Sequence, residues 1–234
     1  MNQDLILIGA SGLCYEIIDT VFDINKVSGK TWNMIGIIDD DKNKWNKIFY
    51  RNIPIIGGKD KINNYNLSTT RFLVAFCSRS SYLKRATYVD ALLKDYPGIK
   101  FAKILHPKAN VSPSSTIGVG TFIGLGVIID AKAIVGNHCF VLFNSVISRF
   151  VEIDDFTFIS ASVNITGHKK IGKNVFLGVK STINAHINDN VLVSHGTIVM
   201  KEVGQNCIVS NPLKQDDICY QTSSELMTVL EQIP

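Results

Sequence analysis

The sequence predicts a two-part chain, an α/β segment followed by a parallel β-helix, on three observations. Val111, Ile117, Ile123, Ile129, Val135, Val141, Ile147, Ile153, Ile159, Ile165, Ile171, Leu177 and Ile183 stand six apart without a miss. Neither a helical nor a strand period selects every sixth residue. A coil that keeps returning to the same face does, so the run is a solenoid repeat. The positions four further on (Ser115, Thr121, Val127, Ala133, Cys139, Ser145, Val151, Thr157 and Val163) are small or β-branched, as a narrow triangular prism requires. The third observation lies at the start: Asp4–Ile8 is a short apolar strand, followed by Gly9-Ala10-Ser11-Gly12 and an apolar-periodic helix.

In chain order, the first helix is expected over residues 13–25, with Ile17, Ile18, Val21 and Phe22 on its buried face. A second strand, Met34–Ile38, ends in Asp39-Asp40-Asp41, and strands follow at Ile53–Ile56 and Phe72–Phe76. A helix is expected between Ser80 and Lys94, and Phe101–Leu105 leads into His106-Pro107, where the coil begins. Alternating strands and helices imply a small parallel sheet of the doubly wound type, whose ligands sit at the carboxyl ends of the strands. In the coil, Gly118, Gly124, Gly136, Gly172 and Gly178 fall next to inward residues, where a larger side chain crowds the turn. The phase slips by two at Ile183 and resumes at Ile187, Val193 and Val199. Stacked coils pair their own backbone along the axis, leaving only the end coils to be capped. Near the end, Thr222-Ser223-Ser224-Glu225 is a capping box opening a short amphipathic helix over residues 222–232.

Composition narrows the function classes. At 234 residues the chain holds one large domain or two small ones. It has no eighteen-residue apolar run, so no membrane span is expected, and no basic start with a cleavable apolar segment, so no secretory signal. The five cysteines (Cys14, Cys77, Cys139, Cys207 and Cys219) are scattered, odd in number and lack CxxC spacing. That fits a reducing cytoplasm and argues against a zinc site or a disulfide framework; no metal is expected. The net charge of +4 is spread along the chain, with no basic stripe for nucleic acid.

The turn Gly9–Gly12 is the candidate phosphate or nucleotide site, because a helix start offers free amides and a positive dipole end to an anion. The full GxGxxG pattern is absent, and a tight packing turn is the alternative. Asp39-Asp40-Asp41 lies where an acidic residue meets a ribose or base. A nicotinamide enzyme fits poorly, since the chain lacks length for a second catalytic α/β domain.

Taken together, GASG at residues 9–12, GIIDDD at 36–41, HPKA at 106–109, the hexapeptide coils and SNPLK at 210–214 resemble one family over about residues 3–215. It is the bacterial sugar O-/N-acyltransferase family, which includes sialic acid O-acetyltransferases and nucleotide-amino-sugar N-acetyltransferases (NeuD and PglD types). The resemblance implies a Rossmann-like nucleotide-sugar-binding domain over residues 1–105. A left-handed β-helix acyltransferase domain would follow over 106–215, with a tail at 216–234. The left hand comes from the resemblance, since ordinary crossover rules give the opposite one. The resemblance also implies a cytoplasmic homotrimer holding acetyl-CoA between neighbouring subunits. Gly9, Ser11, Gly12, Asp39 and Asp40 would contact the nucleotide-linked sugar. Gly167, Gly178, Ser194, Gly196 and Pro212 would line the CoA channel.

Family enzymes carry a histidine base on a central coil. Matching Asn144 upstream and Ile153-Asp154-Asp155-Phe156 downstream puts Arg149 at that position, and an arginine cannot accept a proton at neutral pH. A second family histidine falls on Phe158, and the histidine of the glycine turn on Leu13. Asn144, Arg149 and His168 are the candidate catalytic residues, with His195 and His186 as other bases; His106 and His138 read as structural or exposed. One reading is an acyltransferase without a histidine base, since positioning supplies much of the rate of aminolysis. Arg149 would then orient an anionic group. A hydroxyl needs a base more than an amine does, which favours N-acylation over sugar O-acetylation. The other reading is a degenerate nucleotide-sugar-binding or scaffold homologue. Phe158 suggests a more apolar acyl pocket, and outward Leu142, Phe143, Phe150 and Phe158 suggest a partner surface.

Overall fold

The computed structural model describes residues 3–29, 31–210, 218–219 and 223–231. A five-stranded sheet opens the chain: β1 (Gln3–Ile8), β2 (Trp32–Ile38), β3 (Ile48–Tyr50), β4 (Ile53–Gly57) and β5 (Arg71–Val74), in the order β3-β4-β2-β1-β5. The sheet is mixed rather than parallel: the short hairpin β3–β4 pairs antiparallel, and β3 is only the triplet Ile48-Phe49-Tyr50, too short for periodicity to mark as a strand. Helices α1 (Leu13–Ser28) and α2 (Lys84–Asp95) cover opposite faces. On α1, Ile17, Ile18 and Val21 are buried as expected, but Phe22 is 40% exposed. Its ring instead carries the Arg51 guanidinium at 4.9 Å.

From Ile104 the chain winds into the left-handed parallel β-helix, with two-residue strands on three faces. Successive coils pair eighteen residues apart, as Ile128 with Val146 and Ile134 with Glu152. The six-spaced aliphatics fill the prism as one buried column, each contributing about 1.5–3 kcal/mol. The small positions have a second use: Thr121, Ser145 and Thr157 each donate to a carbonyl one coil on and accept an amide there, as Thr157 Oγ1 does with Gly172 O (2.8 Å) and Val175 N–H (3.2 Å). Corner residues such as Lys132, Asn144, Phe150 and His168 take the left-handed conformation in turn. At the phase slip, Ile171, Ile187 and Val203 bridge at sixteen-residue intervals, so the final coils are each two residues shorter.

The three faces differ in chemistry. The first presents Phe122, Phe140, Phe158, Phe176 and Leu192 as a buried ladder against α1 and Tyr82, with rings 5.1–6.1 Å apart. The second presents Asn110, Ile128, Val146, Asn164, Thr182 and Ile198, with Ile128 and Ile198 42% and 57% exposed. The third presents Thr116, Ile134, Glu152 and Lys170. Phe158 is therefore not an outward residue, and its ring belongs to the packing between the two parts of the chain. That seam cannot be read from a repeat that places Phe158 outside the prism.

Beyond the coils, Ile218–Cys219 adds an antiparallel strand opposite Cys207–Val209, and helix α3 (Ser223–Glu231) follows with Leu226 buried. Cys207 is disulfide-bonded, against the expectation of reduced thiols throughout; Cys14, Cys77 and Cys139 are free. Among the described residues no helix is long and apolar enough to cross a membrane.

Candidate functional site

A cavity of about 280 Å³ opens at the carboxyl ends of β1 and β2, lined by Gly9, Ala10, Ser11, Asp39, Asp40, Lys44, Phe76 and Tyr88, among others. Gly9 holds φ +96°, and a Cβ there would stand 2.9 Å from the Phe76 ring, so the turn tolerates only glycine. Ser11 Oγ donates to Ala75 O at 2.6 Å, while Gly12 has open space around it.

The two aspartates do different work. Asp39 accepts the Ala10 amide at 2.7 Å, the Lys44 ammonium at 3.1 Å and the Asp41 amide at 2.9 Å. Its carboxylate holds the turn in shape. Asp40 takes a long 3.3 Å bond from the Lys59 amide and sits beside Tyr88, whose hydroxyl is shifted upward first by burial and then by Asp40 and Asp39. Lys44, Phe76 and Tyr88 were not foreseen. Lys44 stands in a polar run, and Phe76 and Tyr88 reach the cavity only through the packing of β5 and α2.

The candidates along the β-helix fall on two of its three corners. Asn144 lies on the corner between the first and second faces, with Gly178, Ser194 and Gly196 above it on later coils. Arg149, Gly167 and His168 lie on the corner between the second and third faces. There the His168 amide donates to Arg149 O at 3.1 Å, and the His168 ring stacks on Phe150 at 4.7 Å. Arg149 is exposed, and its guanidinium has no hydrogen-bond or ion-pair partner among the described residues. The second face separates Asn144 from Arg149, so one chain does not bring the three candidate catalytic residues together. Pro212 lies outside the described residues.

The histidines sort by what their ring nitrogens hold. His195 Nδ1 accepts the Val179 amide at 2.9 Å and His186 Nδ1 the Lys170 amide at 3.0 Å. That fixes the tautomer with Nε2–H outward, and a ring so held has no free acceptor nitrogen for a substrate proton. His106 is spent between the Lys108 amide and Asp23. His138, buried between Phe101 and Phe156, is pushed down to about 4 by burial and then by Arg85. Neither ring nitrogen of His168 or of the buried His138 is hydrogen-bonded among the described residues, and of the two only His168 is exposed.

A second cavity of about 420 Å³ lies at the seam between α1 and the Asn144 corner, lined by Glu16, Asp19, Thr20, Asp23, His106, Leu125 and Phe143. Glu16 is pushed up to about 7 by burial, with the Phe143 amide partly offsetting it, and its Oε1 is buried without a hydrogen-bond partner. A carboxylate inside an otherwise apolar helix turn left no signal in the sequence. Among the described residues, no group of three His, Cys, Asp or Glu side chains is placed to hold a metal ion.

The architecture defines the class: an α/β domain carrying a glycine-turn cavity, packed against a hexapeptide-repeat β-helix. Residues 4–82 match the family model of the PglD N-terminal domain. Across nearly the whole chain the fold is shared with three solved structures. The acetyltransferase domain of PglB from Neisseria gonorrhoeae is 19% identical, covering 90% of this chain and 97% of its own, with a TM-score of 0.76. Perosamine N-acetyltransferase from Caulobacter crescentus, solved with CoA and GDP-perosamine, is 20% identical, covering 91% and 97%, with a TM-score of 0.74. WeeI from Acinetobacter baumannii is 15% identical, covering 92% and 99%, with a TM-score of 0.65.

Proposed function

We propose that this protein transfers an acyl group, acetyl in the first instance, from CoA to the amino group of a nucleotide-linked sugar. The setting is cytoplasmic assembly of bacterial surface glycans, and the acting form is a homotrimer. Residues 1–105 would bind the nucleotide, 106–215 would carry the transfer, and 216–234 would form the tail.

The observation that carries this reading is the arrangement of corners around the second face. The first face is filled by the α/β domain and the third sets Thr116, Glu152 and Lys170 around one exposed aliphatic, Ile134, which leaves the second, with exposed Ile128 and Ile198, for a neighbouring copy. Asn144, Gly178, Ser194 and Gly196 flank one edge of that face, and Arg149, Gly167 and His168 flank the other. A neighbour docked there would complete the set with residues of its own. A three-sided prism with one such face supports closed three-fold assembly. The acetyltransferase domain of PglB was solved with acetyl coenzyme A, and perosamine N-acetyltransferase with CoA and a nucleotide amino sugar; both support CoA as donor here.

At the glycine turn, the α1 amides and Lys44 suit a diphosphate, Asp40 suits a ribose or base, and Phe76 and Tyr88 supply flat apolar walls. Arg149 stands where a proton-accepting histidine is expected, and it would orient an anionic part of a substrate. The same substitution favours a second reading, a nucleotide-sugar-binding protein without catalysis.

Calorimetric titration with acetyl-CoA, followed by UDP-, GDP- and dTDP-linked 4-amino sugars and turnover assays, tests the choice. Binding of both ligands with acyl transfer supports the enzyme. Nucleotide-sugar binding without CoA binding supports the second reading.

A further inference from the structure

Resting on that reading of the protein as an amine acyltransferase, we propose that the cavity at the α1 seam receives the acceptor's amino group and that the Glu16 carboxylate takes its proton.

Position is the first argument. Glu16 lies in the first turn of α1, about 6 Å along the axis from Gly12 at 1.5 Å per residue. A ligand anchored by its phosphates at the glycine turn has this carboxylate within the reach of its sugar. The opposite wall, Leu125 and Phe143, belongs to the β-helix corner that carries Asn144. The cavity thus lies between α1, which starts at the glycine turn, and a corner assigned to CoA.

The second argument is which groups remain unspent. Asp19 is paired with Arg51 at 2.6 Å and takes the Tyr50 hydroxyl at 3.4 Å, and Asp23 is held by His106 at 3.1 Å. The β-helix wall brings one titratable side chain to the cavity, His106, which is already engaged with Asp23. Glu16 has no cationic or side-chain donor among the described residues: the Phe143 amide is the one donor beside it, and its Oε1 is buried without a hydrogen bond, a cost that a ligand's ammonium would relieve. Room for the carboxylate depends on Gly124, where a Cβ would stand 2.7 Å from Glu16 Oε1. Burial has also moved this group to about 7, near the operating pH where a general base works best.

The step balances without further reagents. An incoming ammonium gives one proton to the Glu16 carboxylate, and the freed amine attacks the thioester carbonyl. The C–N bond forms, the C–S bond breaks, and the nitrogen's second proton leaves. The departing thiolate takes one proton and the other passes to solvent. Products are the amide, the CoA thiol and one proton.

The test uses the full-length protein, titrated at pH 8 with 4-amino nucleotide sugars and their 4-hydroxy counterparts, then assayed with acetyl-CoA from pH 5.5 to 9. Wild type is expected to favour the amino ligand about tenfold, a gap of about 1.4 kcal/mol. Glu16→Gln and Gly124→Ala should each erase that preference while leaving the 4-hydroxy affinity unchanged. Glu16→Gln should also lower kcat about 100-fold and remove the limb of the pH–rate profile near 7. An amino preference that survives Glu16→Gln, or turnover in that variant with an unaltered pH profile, overturns the assignment to Glu16 and leaves the acyltransferase reading standing. Failure of wild type to bind any nucleotide sugar overturns both.

Discussion

The guanidinium of Arg85 lies 4.6 Å from the centre of the Phe140 ring and donates through Nη2 to the carbonyl of His138. Arg85 belongs to α2 and is 1% exposed, while Phe140 and His138 belong to the β-helix. A buried cation therefore ties the two parts of the chain together, with its Nε and Nη1 lacking hydrogen-bond partners. Arg85→Ala should cost about 2–5 kcal/mol, because it leaves a cavity at the seam and the His138 carbonyl unpaired. Arg85→Met, which fills similar space without charge, should cost much less. Chemical denaturation of both variants decides; equal losses would mean that the side-chain volume, and not the contact with His138 and Phe140, holds the seam.

Burial of Glu16 makes stability depend on pH in a defined direction. Its ordinary value of 4.5 rises to about 7 in the folded chain, so between those values the folded state binds more protons than the unfolded state. Stability from this group then falls as pH rises through that window, and the full loss is present above 7. Glu16→Gln should match wild type in Tm near pH 5 and exceed it at pH 8. Glu16 is half-buried, and screening keeps the gain to about 1–2 kcal/mol. Parallel melting curves across the range would show that Glu16 is solvated.

Assembly through the second face predicts that Ile128→Lys with Ile198→Lys yields monomers by light scattering with an unchanged circular dichroism spectrum. Acetyl-CoA binding should disappear with the trimer. Retained CoA affinity in the monomer would place that ligand within a single chain.

Arg149 is exposed and has no side-chain partner among the described residues, so Arg149→Ala should leave stability within about 0.5 kcal/mol of wild type. If Arg149 orients substrate, the same change should lower acyl transfer at least about tenfold. Unchanged turnover would direct attention to His168 on the same corner.

Gly178 follows an inward leucine at a corner where a Cβ would lie 2.6 Å from the His195 amide nitrogen. Gly178→Ala forces backbone apart and should cost about 1–3 kcal/mol, measured by urea denaturation. Gly12, with nothing within 4 Å, serves as the control and should tolerate alanine.

The coil was legible because its core residues repeat on the sequence itself: Val111 to Ile183 needs no tertiary knowledge to be seen. β1 and α1 were equally plain. Phe158 and Phe22 were misplaced for one shared reason. Whether an outward ring is buried depends on what another part of the chain lays over it, and periodicity says nothing of that. At the glycine turn the sequence named Asp39 and Asp40 together. Only the bonds to Ala10, Lys44 and Asp41 show that the first shapes the turn and the second faces outward. Glu16 was invisible as a site residue because its neighbours Leu125 and Phe143 lie more than a hundred positions away.

The eighteen-residue pairing of the coils makes the β-helix a modular ruler. Each coil carries its own inward aliphatics and its own ladder pairing to the next, so inserting or deleting one whole coil would change only length. Removing a single residue within a strand would turn every later side chain inside out. The two shortened final coils respect this rule, because the residues they lack come from a corner and the column at Ile187, Val193 and Val199 stays in phase. Change along this chain is therefore quantised, with corners free to vary in size and strands free to vary only in number.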